Sequence, residues 1–532
     1  MVILMHRLPG GVPMTECEVL IVGAGPTGLV LALWLTRLGV RVRIIDKALE
    51  PGQTSRALGV QARTLEQYRQ LGLAQHLVDH GLVMAALNFW VGGKRQAHFE
   101  FGEMGKGLSP FPYMLIFPQE EHERLLIDRL ATAGVTVERG TELLDFDDGP
   151  GGPGGGITSR LRTPTGSETC RASFLAGCDG ARSKVREGLK LEYPGGTYAH
   201  LFYVADVEAS GPQVNGELQL ALDHSNFIAC FPLKKNTHVR LIGAVRPEAD
   251  RGDRDLTWDD VNQHVIQSLQ LTVKKVAWFS TYRVHHRVAS AFRKDNAFLL
   301  GDSAHIHSPV GGQGMNTGIG DAINLAWKLA AVLRGTAHRD ILDSYGQERI
   351  PFAQRLVHTT DRIFEVVSAE GTVATQLRLH LMPPILNAAF HAPLFPHFVF
   401  NTVSQININY RGSMLSEGEA GRVHGGDRLP WVPLAQGGDN FEPLTSMGWQ
   451  VHVYGEAGST LQQVCSARAL PLHVFPGEAN AKTAGLDSNA AYLIRPDGYV
   501  ALATPTADAP QQLPSYLDAR GIRPGKTAGT KP

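Results

Sequence analysis

Val19-Leu-Ile-Val22 runs directly into Gly23-Ala-Gly25-Pro26-Thr27-Gly28 and an apolar helical stretch, and Arg41-Val-Arg-Ile-Ile-Asp46 closes the unit. Three glycines at this spacing, after a strand and ahead of a helix, suit a dinucleotide pyrophosphate. Gly23 allows the tight turn, Gly25 lets backbone N–H groups approach phosphate at the positive end of the helix, and Gly28 lets helix and strand pack closely. Asp46, 21 residues past Gly25, is placed to accept ribose hydroxyls, and its charge repels a 2′-phosphate. The loop therefore favours FAD or NAD over NADP, without separating flavin from nicotinamide.

Far downstream, Ala297-Phe-Leu-Leu300 leads into Gly301-Asp302-Ser-Ala-His305-Ile-His307-Ser-Pro309-Val-Gly-Gly312-Gln-Gly314-Met315-Asn316-Thr-Gly-Ile-Gly-Asp321. Here a second strand ends in an acid and a glycine-rich turn that opens a helix. Ile319, Ala322, Ile323, Ala326, Leu329, Ala330 and Leu333 recur with helical period. Backbone donors at such a helix start stabilise the negative charge that reduced flavin carries near N1 and its C2 carbonyl. Asp302 can hold ribityl hydroxyls. This second segment decides for flavin.

Between the two lies Cys178-Asp179-Gly180-Ala-Arg182-Ser183-Lys-Val-Arg186. In this order the three segments resemble the class A flavoprotein monooxygenases related to para-hydroxybenzoate hydroxylase, in the branch of phenol and polyketide hydroxylases. The resemblance covers nearly the whole chain. It implies an α/β fold with a Rossmann-like (GR2-type) FAD-binding domain, a middle β-sheet substrate domain and a C-terminal thioredoxin-like domain. It implies FAD contacts at Gly23, Gly25, Pro26, Thr27, Gly28, Asp46, Lys47, Arg56, Gln119, Arg124, Asp179, Asp302, Pro309, Gly312, Gly314, Met315 and Asn316. Arg182 and Arg186 are the candidates for the phosphates of NADPH or NADH. The implied reaction is that NAD(P)H reduces FAD, O2 adds to the reduced ring, and the resulting C4a-hydroperoxide hydroxylates a phenolic or polycyclic aromatic substrate. No metal is implied, and His305-Ile-His307 lacks a believable third ligand nearby. Epoxidation, Baeyer–Villiger oxidation, inactivation of an aromatic antibiotic, or a flavin-binding regulatory role without turnover are the alternatives on the same fold.

A phenol reacts faster once deprotonated, so a polar group is expected beside its hydroxyl. On the middle sheet the candidates are Tyr203, His224 and His286, with Tyr282 and His285 behind them. Phe202, Phe227 and Phe231 either line the pocket or pack in the core. No Lys or Arg of this sheet can be assigned to a substrate carboxylate, which points to a neutral substrate.

The elements that must position these groups divide into four regions: 15–195, a first part of the FAD-binding domain; 196–290, the middle sheet; 291–415, a second FAD-binding part with long helices; and 425–525, the thioredoxin-like unit. Strands are expected at Glu217–Ala221, Phe227–Phe231 and Val239–Val245, and a hairpin whose tip is the glycine-rich stretch Gly149–Gly156. The last region reads as strand Gln450–Tyr454, helix Thr460–Ala469, strand Leu472–Phe475 and a hairpin with Asp497-Gly498 in a type I′ turn. Its lone Cys465 rules out dithiol chemistry there, leaving packing or homodimer formation as its expected role.

The chain has 532 residues, room for several domains, and 50 Lys plus Arg against 51 Asp plus Glu, a net charge of −1. That balance argues against nucleic-acid and anionic-membrane partners. Five scattered cysteines without a C-x-x-C pair suit the cytoplasm. The N-terminal apolar run is too short for a signal peptide, and prolines 383, 384, 393 and 396 break the apolar stretch 381–400 as a membrane span.

Overall fold

The computed structural model describes residues 6–7, 13–52, 57–148, 155–222, 227–234, 237–245, 256–308, 312–368, 392, 395–477 and 479–525. Val19, Leu20 and Ile21 form an unbroken apolar run because strand β1 (Pro13–Val22) is covered on both faces, as in parallel sheets. Helix α1 (Pro26–Arg37) is apolar nearly all round for the same reason. Leu29, Val30, Leu31, Ala32 and Trp34 are all fully buried. β1 pairs in parallel with β2 (Val42–Asp46) on one side and with β3 (Gly166–Gly177) on the other, and Ala297–Leu299 pairs in parallel with the end of β3. These strands belong to a nine-stranded sheet among the described residues. Their C-terminal ends lie side by side, so Gly23, Cys178 and Gly301 are brought together from three distant parts of the chain. This is where an open α/β sheet takes its ligands.

β4 (Gly195–Ser210), β5 (Phe227–Lys234), β6 (His238–Ala244) and β7 (Thr272–Val288) build the middle sheet. The expected strands are present, shifted by a residue or extended. The sheet is not confined to 196–290, however. Its strand order is His305–Ile306, β7, β4, β6, β5, Leu218–Leu222, Ala86–Val91 and Lys94–Glu100. Strands from the first region and from the flavin segment thus close its two edges. Period-two alternation marks a strand but does not say with which partner it pairs.

Register assigns the two faces. Val204 lies opposite Ile242 and Ser280, and Asp206 opposite Arg240 and Trp278, so these residues share one face with Phe202 and Tyr282. Tyr203, Ala205, Val207 and Leu241 occupy the other, packed with Val265 and Ile266 of the helix Gln263–Ser268.

Helix α2 (Gly314–Leu333) packs against α1, and helix α3 (Asp343–Ser368) follows it. Among the described residues the C-terminal unit holds a four-stranded sheet, with Gln450–Tyr454 parallel to Leu472–Phe475 and antiparallel to Ala490–Ile494, which pairs with Val500–Pro505. Its helix ends at Ala467, two residues before the expected limit. The hairpin does not use a type I′ turn, which requires positive φ at two central residues. Only Gly498 has one, at 77°. Its N–H donates to the Arg495 carbonyl (2.9 Å), and the Arg495 N–H donates to Tyr499 (2.8 Å), giving a three-residue loop of Pro496, Asp497 and Gly498. Asp497, the other central residue of the expected turn, is not among the residues with positive φ. Glu142–Asp148 and Ile157–Thr163 pair as the expected hairpin, whose tip lies outside the described residues. Among the described residues no helix is long and apolar enough to cross a membrane.

Candidate active site

A Cβ on Gly23, at φ 103°, would stand 2.2 Å from the Cys178 carbonyl oxygen, and one on Gly28 would stand 2.0 Å from that of Gly23. Both glycines are thus required by protein packing. A Cβ on Gly25 would meet nothing within 4 Å, leaving open space before the first turn of α1. Thr27 Oγ1 fills the notch between Gly301 and Gly318, where added Cβ atoms would come within 2.7 and 2.3 Å, so it keys α1 to α2. Pro26 and Thr27 also line the cavity described below.

Asp46 Oδ2 accepts from the Ala24 N–H and Oδ1 from that of Ala48, both at 2.8 Å, so the carboxylate is fixed beside the glycine loop. Arg139, opposite Asp46 in the next strand, places Nη1 3.6 Å from Oδ2, while its Nη2 is buried with no protein partner. No local motif surrounds Arg139, and only the strand register brings it here. Asp179 Oδ2 accepts from the backbone N–H of Lys184 (2.6 Å) and Val185 (3.2 Å), holding the start of a short helix, and Oδ1 is buried without a partner. Burial raises its pKa.

An open cradle at Gly25, a fixed carboxylate at Asp46 and two unsatisfied buried polar atoms beside them fit a dinucleotide that supplies the missing partners. At the other loop, Gly314, Met315 and Asn316 are the first residues of α2, whose N–H groups have no acceptor within the helix.

The remaining sequence candidates fall into distinct places. Gln119 lines the cavity, with its amide on Glu123 at 2.8 Å. Lys47 and Arg124 are exposed, and Arg124 donates to the carbonyl of Glu120. The Asn316 side chain is committed to the protein: it accepts from Gln61 N–H and Thr64 Oγ1 and donates to the carbonyls of Gly59 and Gly312. Only its backbone remains for a ligand. Arg186 donates to the carbonyls of Ser303 and Ala181 and lies 3.9 Å over the Tyr193 ring, tying the Asp179 segment to the Asp302 segment, whereas Arg182 is exposed. Arg56, His224 and Pro309 lie outside the described residues.

A cavity of about 1160 Å³ extends from these loops under the middle sheet. Gly25, Cys178, Gly180, Asp302 and Gly312 to Met315 line one end; Leu87, Phe89, Leu220, Phe231, Trp278 and Phe400 line the other. Neither Tyr203 nor His286 reaches it. Tyr203 is on the helix-covered face, stacked on Phe279 at 6.2 Å, because one residue of strand parity turns it away from Phe202. His286 sits against the Tyr198 ring at 4.8 Å, towards the end of β7. His285 bonds Thr197 Oγ1, and Tyr282 lies 5.9 Å from the Phe202 ring.

His305 is buried, its Nε2 2.7 Å from Asp321 Oδ2, which also accepts from the Gly301 N–H. Asp321 Oδ1 pairs with Arg349 Nε at 2.6 Å. Burial alone would raise the Asp321 pKa, but Arg349 and His305 hold it below the usual range. His305 thus helps fix the turn that carries Asp302.

A family model for an FAD binding domain matches residues 16–360, and one for the C-terminal region of aromatic-ring hydroxylases matches 423–520. The chain belongs to the FAD-dependent aromatic-ring hydroxylases. It is 32% identical to 6-methylpretetramide 4-monooxygenase of Streptomyces rimosus over 96% of this chain and 95% of that protein. It is 33% identical to pentachlorophenol 4-monooxygenase of Sphingobium chlorophenolicum over 79% and 76%. Among solved structures, an anhydrotetracycline hydroxylase from Streptomyces rimosus superposes with a TM-score of 0.76 at 26% identity, covering 96% of this chain and all of that one. Aklavinone-11 hydroxylase, in a ternary complex with FAD and aklavinone, gives 0.76 at 25% over 95% and 99%. This hydroxylase is accordingly a flavoprotein monooxygenase, with FAD as cofactor and a reduced nicotinamide nucleotide as electron donor.

Proposed function

We propose that this enzyme uses O2 and NADPH or NADH to hydroxylate a neutral polycyclic phenol of polyketide type. The carrying observation is the cavity: its inner end is walled by Leu, Phe, Ile, Val and Trp, and among the described residues no Lys, Arg or Glu lines it. Such a wall favours burying a large uncharged ring system and would leave a substrate carboxylate unpaired. Relatives of this chain are named for 6-methylpretetramide and anhydrotetracycline.

FAD, when bound, supplies the redox chemistry and the activation of oxygen. In this reading the Gly25 backbone and the start of α1 hold the pyrophosphate, and Asp46 and Arg139 the adenosine ribose. Asp302 holds the ribityl chain, and the first N–H groups of α2 face the anionic edge of the reduced ring. The apolar wall excludes water and orients the substrate over the ring. Five free cysteines are consistent with a reducing cytoplasm as its place of action.

The test is an absorbance spectrum of the purified protein, then NADH and NADPH oxidation with 2-hydroxyanthraquinone and with 4-hydroxybenzoate. A yellow protein whose NAD(P)H oxidation is stimulated by the anthraquinone and not by the benzoate is expected. Stimulation by the benzoate alone overturns the substrate reading.

A further inference from the structure

Among the described residues that line the cavity, His307 alone carries a buried side-chain nitrogen or oxygen with no protein partner, its Nε2. The other ring nitrogen fixes the tautomer. Nδ1 lies 2.8 Å from the carbonyl oxygen of Ser308, which can only accept, so Nδ1 carries the proton and donates it. In the neutral ring Nε2 is therefore a lone-pair acceptor. It stands 3.7 Å from where a Cβ on Gly314 would be, facing the first turn of α2. His307 also directly follows the strand His305–Ile306, which pairs with β7 of the cavity roof. It thus occupies the junction between the flavin-side loop and the sheet over the substrate space. Burial above all, with neighbouring His305, pushes its pKa down to about 4, so the ring stays neutral at working pH.

We propose that His307 Nε2 accepts the hydrogen bond of the substrate's phenolic hydroxyl and takes its proton as the ring is oxygenated. This rests on the phenolic substrate read from the cavity. As a ring carbon donates its π pair to the terminal oxygen of the peroxide that the family's chemistry supplies, the O–O bond breaks with its pair leaving on the other oxygen. The phenolic O–H bond breaks with it, and the O–H electron pair forms the C=O of a dienone. The proton goes to Nε2, giving an imidazolium whose Nδ1–H remains on Ser308. Loss of the proton at the oxygenated carbon then restores aromaticity. A weakly basic imidazole suits this step, because the hydroxyl becomes strongly acidic only once the ring carries positive charge.

The experiment compares 2-hydroxyanthraquinone with its methyl ether, 2-methoxyanthraquinone, on FAD-loaded wild type, His307→Phe and His307→Gln. Probe dissociation constants come from perturbation of the flavin absorbance, FAD affinity from titration of the apoprotein, and coupling from product formed per NADPH consumed. Wild type is expected to prefer the hydroxyl probe by about tenfold, the worth of one hydrogen bond to a buried acceptor. His307→Phe should lose that preference, keep FAD affinity within about twofold, and form at least about tenfold less product per NADPH, releasing hydrogen peroxide instead. His307→Gln offers an acceptor oxygen that does not take a proton, so it should regain the binding preference without the yield. A preference that survives in His307→Phe overturns the proposal. So does weaker FAD binding with unchanged probe binding, which would place the flavin itself on Nε2. If neither anthraquinone binds wild type, the polycyclic reading fails, and phenol against anisole on the same variants decides the role of His307.

Discussion

A Cβ added at Gly28 would stand 2.0 Å from the Gly23 carbonyl oxygen, while at Gly25 it would meet nothing within 4 Å. Ala at Gly28 must push helix α1 off the sheet and is expected to cost about 2 kcal/mol or more of stability. Ala at Gly25 should leave the apoprotein's melting temperature unchanged and weaken FAD binding roughly tenfold or more, by blocking the approach of phosphate to backbone donors. Thermal melts of both apoproteins with FAD titrations test this; equal melting losses would refute the division of roles. Asp302→Ala should weaken FAD binding roughly tenfold or more through lost hydrogen bonds to a charged acceptor, with the melt of the apoprotein unchanged. Unaltered affinity would remove Asp302 from the ribityl site. These roles were legible because each glycine or acid sits in a short segment whose local geometry its neighbours dictate. Arg139 and His307 were not: the first reaches the site through strand register, and the second declares itself only by the partner its Nε2 lacks.

At the scale of elements, the strands of the middle sheet could be read from alternation, but not which face each residue takes. Phe202 and Tyr203 are adjacent aromatics, and nothing local says that the helix Gln263–Ser268 covers the side of Tyr203. The same limit hid the recruitment of Ala86–Val91 and His305–Ile306, since both pairings join segments far apart in sequence. Face assignment makes a direct prediction. Tyr203→Phe should keep kcat and KM within about twofold, because the hydroxyl lies behind the sheet. Trp278→Ala should raise KM for a polycyclic phenol roughly tenfold, because it removes a large apolar surface from the cavity wall. Steady-state kinetics with 2-hydroxyanthraquinone separates them; a large kcat loss in Tyr203→Phe would reverse the assignment.

Across the whole molecule, the C-terminal unit is joined to the flavin-side helices by charges shut away from water. Arg495, fully buried beside the hairpin turn, binds both oxygens of Glu348 on α3 (2.7 and 3.0 Å) and pairs with Asp497, which accepts from Trp327 Nε1 on α2. Lys328 of α2 pairs with the same Glu348 at 2.8 Å. Burial would raise the Glu348 pKa, but Arg495 and Lys328 hold it well below the carboxylate range. The folded state therefore keeps this proton off while the unfolded chain takes one up below the ordinary value near 4.5, so stability is lost as pH falls through that point. Acid begins its effect earlier, at two fully buried histidines. His122 and His452 are pushed down to about 4 and about 3 by burial, His452 also by His473. Unfolded, both protonate near their ordinary 6.5, as does His307, so these three rings bind up to three protons on unfolding between pH 6.5 and about 4, and stability rises with pH across that window. Each group contributes a slope of about 1.4 kcal/mol per pH unit. Urea unfolding at fixed excess FAD should thus give a clearly lower midpoint at pH 5 than at pH 7, and His452→Phe should remove about one proton of the uptake. A midpoint that is flat from pH 7 to 5 would mean that these rings are charged in the folded protein, and that the sheet around His452 is open to water.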